Sequence, residues 1–485
     1  MTLTSILPSW MEVIHFSQWL FFAYFICISG VYLALNVISA FKLKKYMPNL
    51  TLDGLPQVYS GIEPPVSIII PAHNESAIIV ATIHSMLHLN YPQFEILVVN
   101  DGSTDDTLDI LKKNLDIIPF LVPYRRQLET KAVNEVYRST KYQNVRVIDK
   151  ENGGKADSIN AGINAALYPV FCVVDADSIL QRDSLKRVVQ PFLEDQRVVA
   201  AGGTVRIANG CQVSGGFLKK IGLPTNWLAM LQVVEYIRAF LMGRVGWASF
   251  DALLIISGAF GLFRKDTVIE VGGYKSNTVG EDMELIVRIH RYMRKHERKY
   301  SIVFLPDPVA WTEAPEDFRS LMNQRVRWQQ GLSESLFGNL GLMFSKNGGA
   351  VGWIAFPFML IFEWFGPVVE VSGYVLFTLF YWLGYISWPV FAVFLFASIG
   401  LGFLLSVSSL LLEEVSFDLY KQPRQLFRLI IAALIDSLFL RPLCSIWRCM
   451  GLVRWIFARK GKWGKMRRQG DWHELAHTTH APIQS

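Results

Sequence analysis

Acidic residues that could do chemistry recur at three places in the amino-acid sequence. Asp101 ends the segment Val-Val-Asn-Asp, Asp175 and Asp177 flank one alanine, and Glu281 and Asp282 are adjacent. Carboxylate oxygens suit Mg²⁺ and Mn²⁺, and a carboxylate beside a hydroxyl can act as a general base. We predict that Asp175 and Asp177 bind a nucleotide and its Mg²⁺ or Mn²⁺ ion. Asp101 is predicted to contact the same nucleotide, and Asp282, with Glu281 beside it, to be the catalytic base.

A cationic and aromatic string, Gln-Arg-Val-Arg-Trp, follows these acids. Gln324 is predicted to hydrogen-bond an acceptor, Arg327 to meet a diphosphate, and Trp328 to stack on a sugar ring. Upstream of the string, three further residues could line the acceptor site: Trp311, Thr312 and Glu313.

Two smaller features complete the candidate site. Lys155 follows two glycines at a predicted helix start, where its ammonium and the backbone N–H groups could both meet phosphate. Ser257 and Gly258 lie in a small-residue segment that would let a sugar approach the backbone closely on the acceptor side.

Each motif has a plainer explanation when it is taken alone. Asp101 could cap a helix, and Glu281 with Asp282 could be an acidic helix start favoured by the helix dipole. Lys155 could be a surface lysine, and the Gln-Arg-Val-Arg-Trp string could be an amphipathic basic helix with an interfacial tryptophan. Their occurrence in this order within one chain favours a shared site.

The elements needed to position these residues alternate between strand and helix. Short apolar runs predict strands at 66–70, 95–99, 145–148 and 170–174, and a helix is predicted at 155–166. This alternation is typical of an α/β fold with a mainly parallel sheet, and such sheets bind ligands at the carboxyl ends of their strands. Residues 114–144 fit the pattern poorly, and we expect an excursion or a flexible loop there.

Long apolar segments flank this region. Hydrophobic residues make up 51% of the 485 residues and charged residues 18%, whereas soluble proteins carry about 25% charged residues. The runs 19–41, 353–382 and 390–412 are long enough to cross a bilayer. Because the apolar run 429–457 contains several charges, we expect an interfacial helix or a re-entrant hairpin there.

Lysine-rich flanks predict the orientation. Lys42, Lys44 and Lys45 follow the first apolar run, so the positive-inside rule places the next domain in the cytoplasm. The predicted division is an N-terminal transmembrane helix (1–45), a catalytic domain (64–315), an interfacial helix (316–345), C-terminal transmembrane and interfacial helices (350–458) and a basic cytoplasmic tail (459–485).

The net charge and the cysteine spacing indicate which partners and which compartment to expect. The net charge of +6 is concentrated near the apolar segments, which favours an anionic membrane surface as the partner and not nucleic acid. The five cysteines include no Cys-x-x-Cys pair. We expect reduced packing residues, as in a cytosolic domain.

Taken together, the chain resembles the processive family-2 glycosyltransferases. Bacterial poly-N-acetylglucosamine synthases are the nearest relatives in this resemblance, and hyaluronan, chitin and cellulose synthases are more distant. The matching positions are Asp101, Gly154-Lys155, Asp175-Ala176-Asp177, Ser257-Gly258-Ala259, Glu281-Asp282 and Gln324-Arg325-Val326-Arg327-Trp328.

The resemblance implies a GT-A fold joined to a helical membrane domain. It also implies a UDP-sugar donor, a Mg²⁺ or Mn²⁺ cofactor, and inverting β-transfer to a growing polysaccharide that passes through the membrane helices. The implied location is the bacterial inner membrane, as a multi-pass protein, with room for a small membrane subunit and export machinery as partners.

Two alternatives stay open. A non-processive transferase, which adds one sugar to a polyprenyl phosphate or membrane lipid, would share the upstream acids but usually lacks the Gln-x-x-Arg-Trp string. A catalytically silent scaffold of an export complex is the other alternative, and the intact set of acids speaks against it.

Overall fold

The computed structural model describes residues 10–46, 61–120, 124–214 and 217–457. Within these ranges the chain builds a mixed α/β domain and a bundle of long apolar helices. All five cysteines are free, as expected from their spacing. The basic tail 459–485 lies outside the described residues, so its cytoplasmic placement stays a prediction.

Twelve strands are present in the described residues, ten of them in one sheet in the order β3-β4-β5-β2-β1-β6-β11-β8-β12-β7. Strands β9 and β10 form a separate antiparallel pair. The strand bounds are β1 Val66–Ala72, β2 Phe94–Asp101, β3 Ile117–Pro119, β4 Val133–Ser139, β5 Val145–Lys150, β6 Val170–Val174, β7 Ile179–Leu180, β8 Val198–Ile207, β9 Gln212–Ser214, β10 Phe217–Lys220, β11 Phe260–Arg264 and β12 Ser301–Thr312.

The centre of the large sheet is parallel. Strands β5, β2, β1 and β6 run parallel side by side, and they are flanked by the antiparallel strands β4 and β11. Strands β1, β2 and β6 are buried almost throughout, as expected for apolar strands with both faces covered. These central strands are the four predicted ones, and the GT-A-type α/β fold class is confirmed.

Residues 114–144 form part of this sheet and not a free excursion. They supply strands β3 and β4, which add an antiparallel edge beside β5. Several side chains of β3 and β4 are exposed, so the apolar signal that marks the central strands is weak here.

Sixteen α-helices are present in the described residues. Five π-helical segments interrupt or extend them, at Arg238–Arg244, Val351–Ala355, Met359–Trp364, Phe396–Gly400 and Asp436–Leu440. The helix bounds are α1 Trp10–Tyr46, α2 Ile79–Leu87, α3 Thr107–Leu115, α4 Lys155–Ala165, α5 Ser184–Glu194, α6 Trp227–Ile237, α7 Val245–Ala248, α8 Lys265–Glu270, α9 Glu281–Lys295, α10 Phe318–Phe337, α11 Phe356–Phe358, α12 Gly366–Trp382, α13 Trp388–Leu395, α14 Leu401–Phe417, α15 Pro423–Ile435 and α16 Arg441–Ile456.

Four helical stretches in the described residues are long and apolar enough to cross a membrane, and they indicate a membrane-associated protein. The three spans expected from the sequence are among them. Aromatic rings join α1 to the second and third stretches, with Phe21 against Phe377 and Phe25 against Phe394. The stretches are Met11–Tyr46, Val351–Trp382, Trp388–Phe417 and Pro423–Ile456.

The fourth stretch bears on one expectation in part. The charged run 429–457 was expected to be an interfacial helix or a re-entrant hairpin; it lies in one continuous helical stretch, which contradicts the hairpin, and an interfacial position stays a prediction. Its charges are accommodated by partners inside the protein: Asp436 pairs with Arg238 at 3.3 Å, and Arg448 pairs with Glu363 at 3.0 Å. Intramembrane charges commonly pair in this way.

Buried contacts fasten the apolar helices to the large sheet. Arg206 of β8 forms an ion pair with Glu413 of α14, and both side chains are 2% exposed. At the end of α1, Tyr46 hydrogen-bonds Asp307, which also accepts from Arg187 at 2.8 Å. The sheet that carries the site is therefore held directly against the apolar helices.

Candidate active site

One cavity of about 1530 Å³ connects the two regions. It opens at the carboxyl ends of the parallel strands and continues between the apolar helices, where Glu363, Glu370 and Arg448 line it. The eleven residues predicted to form the site all lie along this cavity: Asp101, Lys155, Asp175, Asp177, Ser257, Gly258, Glu281, Asp282, Gln324, Arg327 and Trp328.

Asp101 lies at the end of β2 and is buried. One carboxylate oxygen accepts from the Lys150 ammonium at 2.6 Å and from the backbone N–H of Gly153 at 3.0 Å. The other oxygen accepts from the backbone N–H of Gly154 at 2.8 Å. Asp101 therefore holds the glycine loop that precedes α4, and its contact with a nucleotide stays a prediction.

Lys150 is a site residue that sequence reasoning missed. Its ammonium is fully buried between two carboxylates, Asp101 at 2.6 Å and Asp157 at 2.7 Å. A lysine at a strand end is usually exposed, so the chain offers no local signal for this role. The role of Lys150 becomes visible only in the fold, where β2 and α4 bring Asp101 and Asp157 to the end of β5.

Lys155 begins α4 and lies close to acidic residues from two other parts of the site. Its ammonium lies 2.5 Å from Asp175 and 3.8 Å from Glu281. Burial alone would lower the pKa of Lys155, but the two carboxylates outweigh burial and raise that pKa above its usual range. Lys155 is therefore a fixed cation at the end of β6.

Asp175 and Asp177 follow β6 directly. Among the described residues no group of three or more His, Cys, Asp or Glu side chains could hold a metal ion. Mg²⁺ is commonly bound by one or two carboxylates, with phosphate oxygens and water as its other ligands. The Asp pair fits a metal ion that arrives with a nucleotide diphosphate, and it does not form a complete metal cage.

Asp282 lies in the first turn of α9. Its carboxylate accepts from the backbone N–H of Gly258 at 3.1 Å and of Met283 at 2.8 Å. A Cβ atom on Gly258 would lie 3.2 Å from the Lys155 ammonium and 3.5 Å from the Asp282 carboxylate. The glycine thus lets the backbone pass between the cation and the predicted base.

Glu281 is buried beside Asp282. Burial raises the pKa of Glu281 to about 7, the Lys155 ammonium opposes that rise, and the Asp282 carboxylate adds to it. Its carboxyl group therefore titrates near neutral pH, which is unusual for a glutamate.

The base helix and the Gln-Arg-Val-Arg-Trp helix touch through their backbones. A Cβ atom on Gly331 of α10 would lie 2.7 Å from the Cα of Gly280, which precedes α9. Nearby, Glu334 of α10 accepts from the Thr278 hydroxyl at 2.7 Å and from the Val279 backbone N–H at 2.8 Å. A shift of α10 therefore moves the segment that carries the predicted base.

The predicted acceptor residues occupy α10. The Gln324 side chain is buried, and its carbonyl oxygen has no hydrogen-bond partner among the described residues. Trp328 is 44% exposed. Arg325, which was not predicted to act, pairs with Glu235 at 2.7 Å and lies 4.2 Å over the Trp328 ring. It therefore supports the tryptophan, whose stacking role stays a prediction.

One of the three residues predicted upstream of the string is misplaced. Thr312 and Glu313 line the cavity, whereas the Trp311 side chain is 1% exposed and packs with Ile179 and Val213 in a separate apolar cluster. Trp311 is a core residue and the prediction for it was wrong. Alternation along β12 turns it away from the cavity.

Comparison with known proteins agrees with this geometry. The family model described as "Glycosyl transferase family 2" matches residues 67–215, and "Glycosyl transferase family group 2" matches residues 170–405. The chain belongs to glycosyl transferase family 2. The two matches together contain all eleven predicted site residues, the apolar stretch Val351–Trp382 and part of the stretch Trp388–Phe417.

Curated relatives of this family-2 glycosyltransferase include two staphylococcal enzymes. Poly-beta-1,6-N-acetyl-D-glucosamine synthase of Staphylococcus epidermidis is 28% identical over 272 residues, which are 56% of this chain and 55% of that protein. The synthase of Staphylococcus aureus strain COL is 29% identical over 277 residues, again 56% and 55%. The chain thus spans about half the length of each.

A solved structure supports the fold. A mannosyltransferase from Pyrobaculum calidifontis, in complex with GDP-mannose and Mn²⁺, aligns with a TM-score of 0.50 at 17% identity. The alignment covers 91% of this chain and 100% of that one. At this level of identity the likeness speaks for the shared fold alone.

Proposed function

We propose that this family-2 glycosyltransferase polymerises a UDP-sugar, UDP-N-acetylglucosamine first among the candidates, and passes the product across a bacterial cytoplasmic membrane. The observation that carries the proposal is the continuous cavity from the donor acids, past Asp282 and Trp328, to Glu363 and Glu370 between the apolar helices. A transferase that acts on a small soluble acceptor has no need of such a route. The names of the staphylococcal relatives support the choice of sugar.

On the donor side, the proposal assigns UDP to the ends of β2 and β6. Asp101 holds the loop before α4 in place through Gly153 and Gly154. That loop and the Lys155 ammonium present positive potential to a diphosphate, as helix starts commonly do. Asp175 and Asp177 would hold a Mg²⁺ or Mn²⁺ ion, which neutralises charge on the leaving diphosphate when bound.

At the transfer step, the Asp282 carboxylate takes the proton of the acceptor hydroxyl. The hydroxyl oxygen then bonds to C1 of the donor sugar while the bond from C1 to the UDP oxygen breaks, so the configuration inverts. The backbone N–H groups of Gly258 and Met283 fix the orientation of Asp282. General-base help of this kind contributes roughly a hundredfold to ten-thousandfold in rate.

On the acceptor side, Trp328 would stack on the terminal sugar and Gln324 would hydrogen-bond it. The carbonyl oxygen of Gln324, which has no partner within the described ranges, fits a sugar hydroxyl, because a buried polar atom normally has a partner. Beyond this point the charged pairs of the apolar helices line the exit. Hydroxyl-rich chains fit polar walls of this kind.

The test is UDP release by the purified protein in detergent or lipid. The donors are UDP-N-acetylglucosamine, UDP-glucose, UDP-galactose and UDP-glucuronate, each with Mg²⁺, with Mn²⁺ and with EDTA, followed by sizing of the product. The proposal expects one preferred donor, dependence on the metal and a product of high mass.

Two outcomes would contradict the proposal. Single-sugar lipid products would make the protein a lipid glycosyltransferase. UDP release with EDTA equal to that with Mg²⁺ or Mn²⁺ would remove the metal from the mechanism.

A further inference from the structure

A half-buried arginine that no motif includes lines the cavity. Arg244 closes the π-helical segment Arg238–Arg244 and lines the same cavity as Asp282. Its guanidinium lies 3.7 Å over the ring of Phe240. The ring covers one face of the guanidinium, so the N–H groups, which lie in the guanidinium plane, remain for other contacts.

Among the described residues, Arg244 lacks the kind of side-chain partner that the buried Arg146 and Arg325 have. No hydrogen bond or ion pair joins it to another side chain in the part of the chain that the structure describes, and its buried Nη1 atom has no partner there. By contrast, Arg146 pairs with Glu95 and Arg325 pairs with Glu235. A buried guanidinium nitrogen left unpaired is costly, so a ligand is expected to complete it.

Arg244 lies within reach of the charge of the predicted base. Asp282 is near enough for its charge to act on Arg244, yet the two side chains form no ion pair. A sugar oxygen between them could accept from Arg244 while a neighbouring hydroxyl gives its proton to Asp282. Because a guanidinium has only donors, the ligand atom must be an acceptor, such as a hydroxyl or acetamide oxygen.

We propose that Arg244 is an acceptor-binding residue, whose guanidinium donates hydrogen bonds to an oxygen of the terminal sugar of the growing chain beside Asp282. This inference rests on the proposed function. The same donors could instead meet a diphosphate oxygen of the UDP-sugar, and the test below separates these two sources.

The test measures two affinities of the full-length protein in detergent. The probes are a β-1,6-linked N-acetylglucosamine pentasaccharide, with UDP present, and UDP-N-acetylglucosamine alone, both followed by calorimetry. In Arg244→Gln the saccharide affinity should fall about tenfold, as expected for the loss of a hydrogen bond to a charged group. The affinity for UDP-N-acetylglucosamine should stay within about twofold of wild type, since no donor contact is removed.

Two further variants control the result. Arg244→Lys keeps the charge without the planar fork, and its saccharide affinity should lie between those of wild type and Arg244→Gln. Arg319→Gln removes an exposed arginine of α10 and should bind both probes as wild type does. The graded response of the lysine variant distinguishes recognition from a loss of folding.

Three outcomes would overturn the inference: unchanged saccharide affinity in Arg244→Gln, a fall in donor affinity alone, or no saccharide binding by wild type. The last result leaves UDP release as an independent measure of the proposed function. Conversely, wild-type saccharide binding that falls in Arg244→Gln would support Arg244 even if another donor proved to be preferred.

Discussion

The donor side and the acceptor side of the cavity satisfy their polar groups differently. At the ends of β2 and β6, Asp101 and Asp175 are already bound by lysines and backbone N–H groups. On the acceptor side, Gln324 Oε1 and Arg244 Nη1 are buried without a partner among the described residues. The two donor-side carboxylates are paired within the protein, whereas these two acceptor-side atoms leave hydrogen bonds to be made.

This difference follows from what each side is proposed to hold. UDP-sugars arrive in the same form at every cycle, so a rigid, internally bonded site can be organised in advance for them. A polymer must bind, advance by one sugar and bind again. Hydrogen bonds within the protein at the acceptor-side residues would compete with the polymer for the same atoms. Variants on the two sides should therefore fail in different ways.

The largest effect is expected where the two sides meet. Asp282→Asn removes the predicted base but keeps the size of the side chain, so transfer should fall by about a thousandfold. UDP-sugar affinity, measured by calorimetry, should stay within about twofold because the donor contacts remain. Asp109→Asn, at an exposed carboxylate of α3, is the control. Full activity of Asp282→Asn would remove Asp282 from its role.

Because the donor-side acids are paired with a buried lysine, removing that lysine should lower the stability of the folded protein. Lys150→Met leaves Asp101 and Asp157 buried without their cation, a change that costs about 3–5 kcal/mol. The midpoint of thermal unfolding in detergent should fall by several degrees, whereas exposed Lys112→Met should leave it unchanged. If the two variants unfold alike, the donor side is not held by this lysine.

An open acceptor side predicts a loss of acceptor binding without loss of stability. Trp328→Ala removes an exposed ring, and the KM for a saccharide acceptor should rise about fivefold, in line with the roughly 1 kcal/mol of an aromatic contact. The product should be shorter, while Trp328→Phe keeps a ring and a long product. Product length unchanged in Trp328→Ala would exclude stacking at this position.

The contact between α9 and α10 can be tested at one glycine. A Cβ atom at Gly331 would lie 2.7 Å from the Cα of Gly280, so Gly331→Ala must separate the two segments. We expect kcat to fall several-fold with donor affinity unchanged. In the control Gly341→Ala, just after α10, a Cβ atom would lie 3.5 Å from the Arg291 guanidinium, an ordinary contact, and kcat should stay near wild type. Equal kcat values for both variants would show that the two helices act independently.

The smallest expected effect is a shift with pH. Burial, opposed by Lys155 and assisted by Asp282 and Asp175, gives Glu281 a pKa of about 7. A raised carboxyl pKa means that the group is protonated below about pH 7 and ionised above it. If the Glu281 carboxylate is needed beside Lys155, the kcat of the wild-type protein should rise with pH through about 7. In Glu281→Gln this rise of kcat near pH 7 should be absent. A limb of opposite slope would show that the neutral acid is the working form.

Sequence patterns predicted correctly the features of this molecule that depend on short runs of neighbouring residues. The central strands β1, β2, β5 and β6 are continuous apolar runs, and their boundaries differ from the predicted ones by at most two residues. Local order also places the acidic motifs at strand ends and helix starts. For this reason the predicted site residues all reach one cavity.

Other features depend on which distant segments meet. Lys150 resembles a surface lysine until β2 and α4 enclose it. Arg244 belongs to no motif, and its importance lies in a buried Nη1 atom that has no partner in the described part of the chain. Trp311 resembles a sugar-stacking residue but faces the core. The charges of 429–457 likewise find partners on other helices, which hydropathy alone cannot reveal.

Processive synthesis is the central claim, and a single-encounter assay tests it most directly. The purified protein begins synthesis with labelled UDP-N-acetylglucosamine, and after a few turnovers an excess of unlabelled short acceptor is added. If synthesis is processive, the label stays in a few long chains and the added acceptor is not extended. A ladder of short products built on the added acceptor would contradict it, because the chain would then leave the cavity after each transfer.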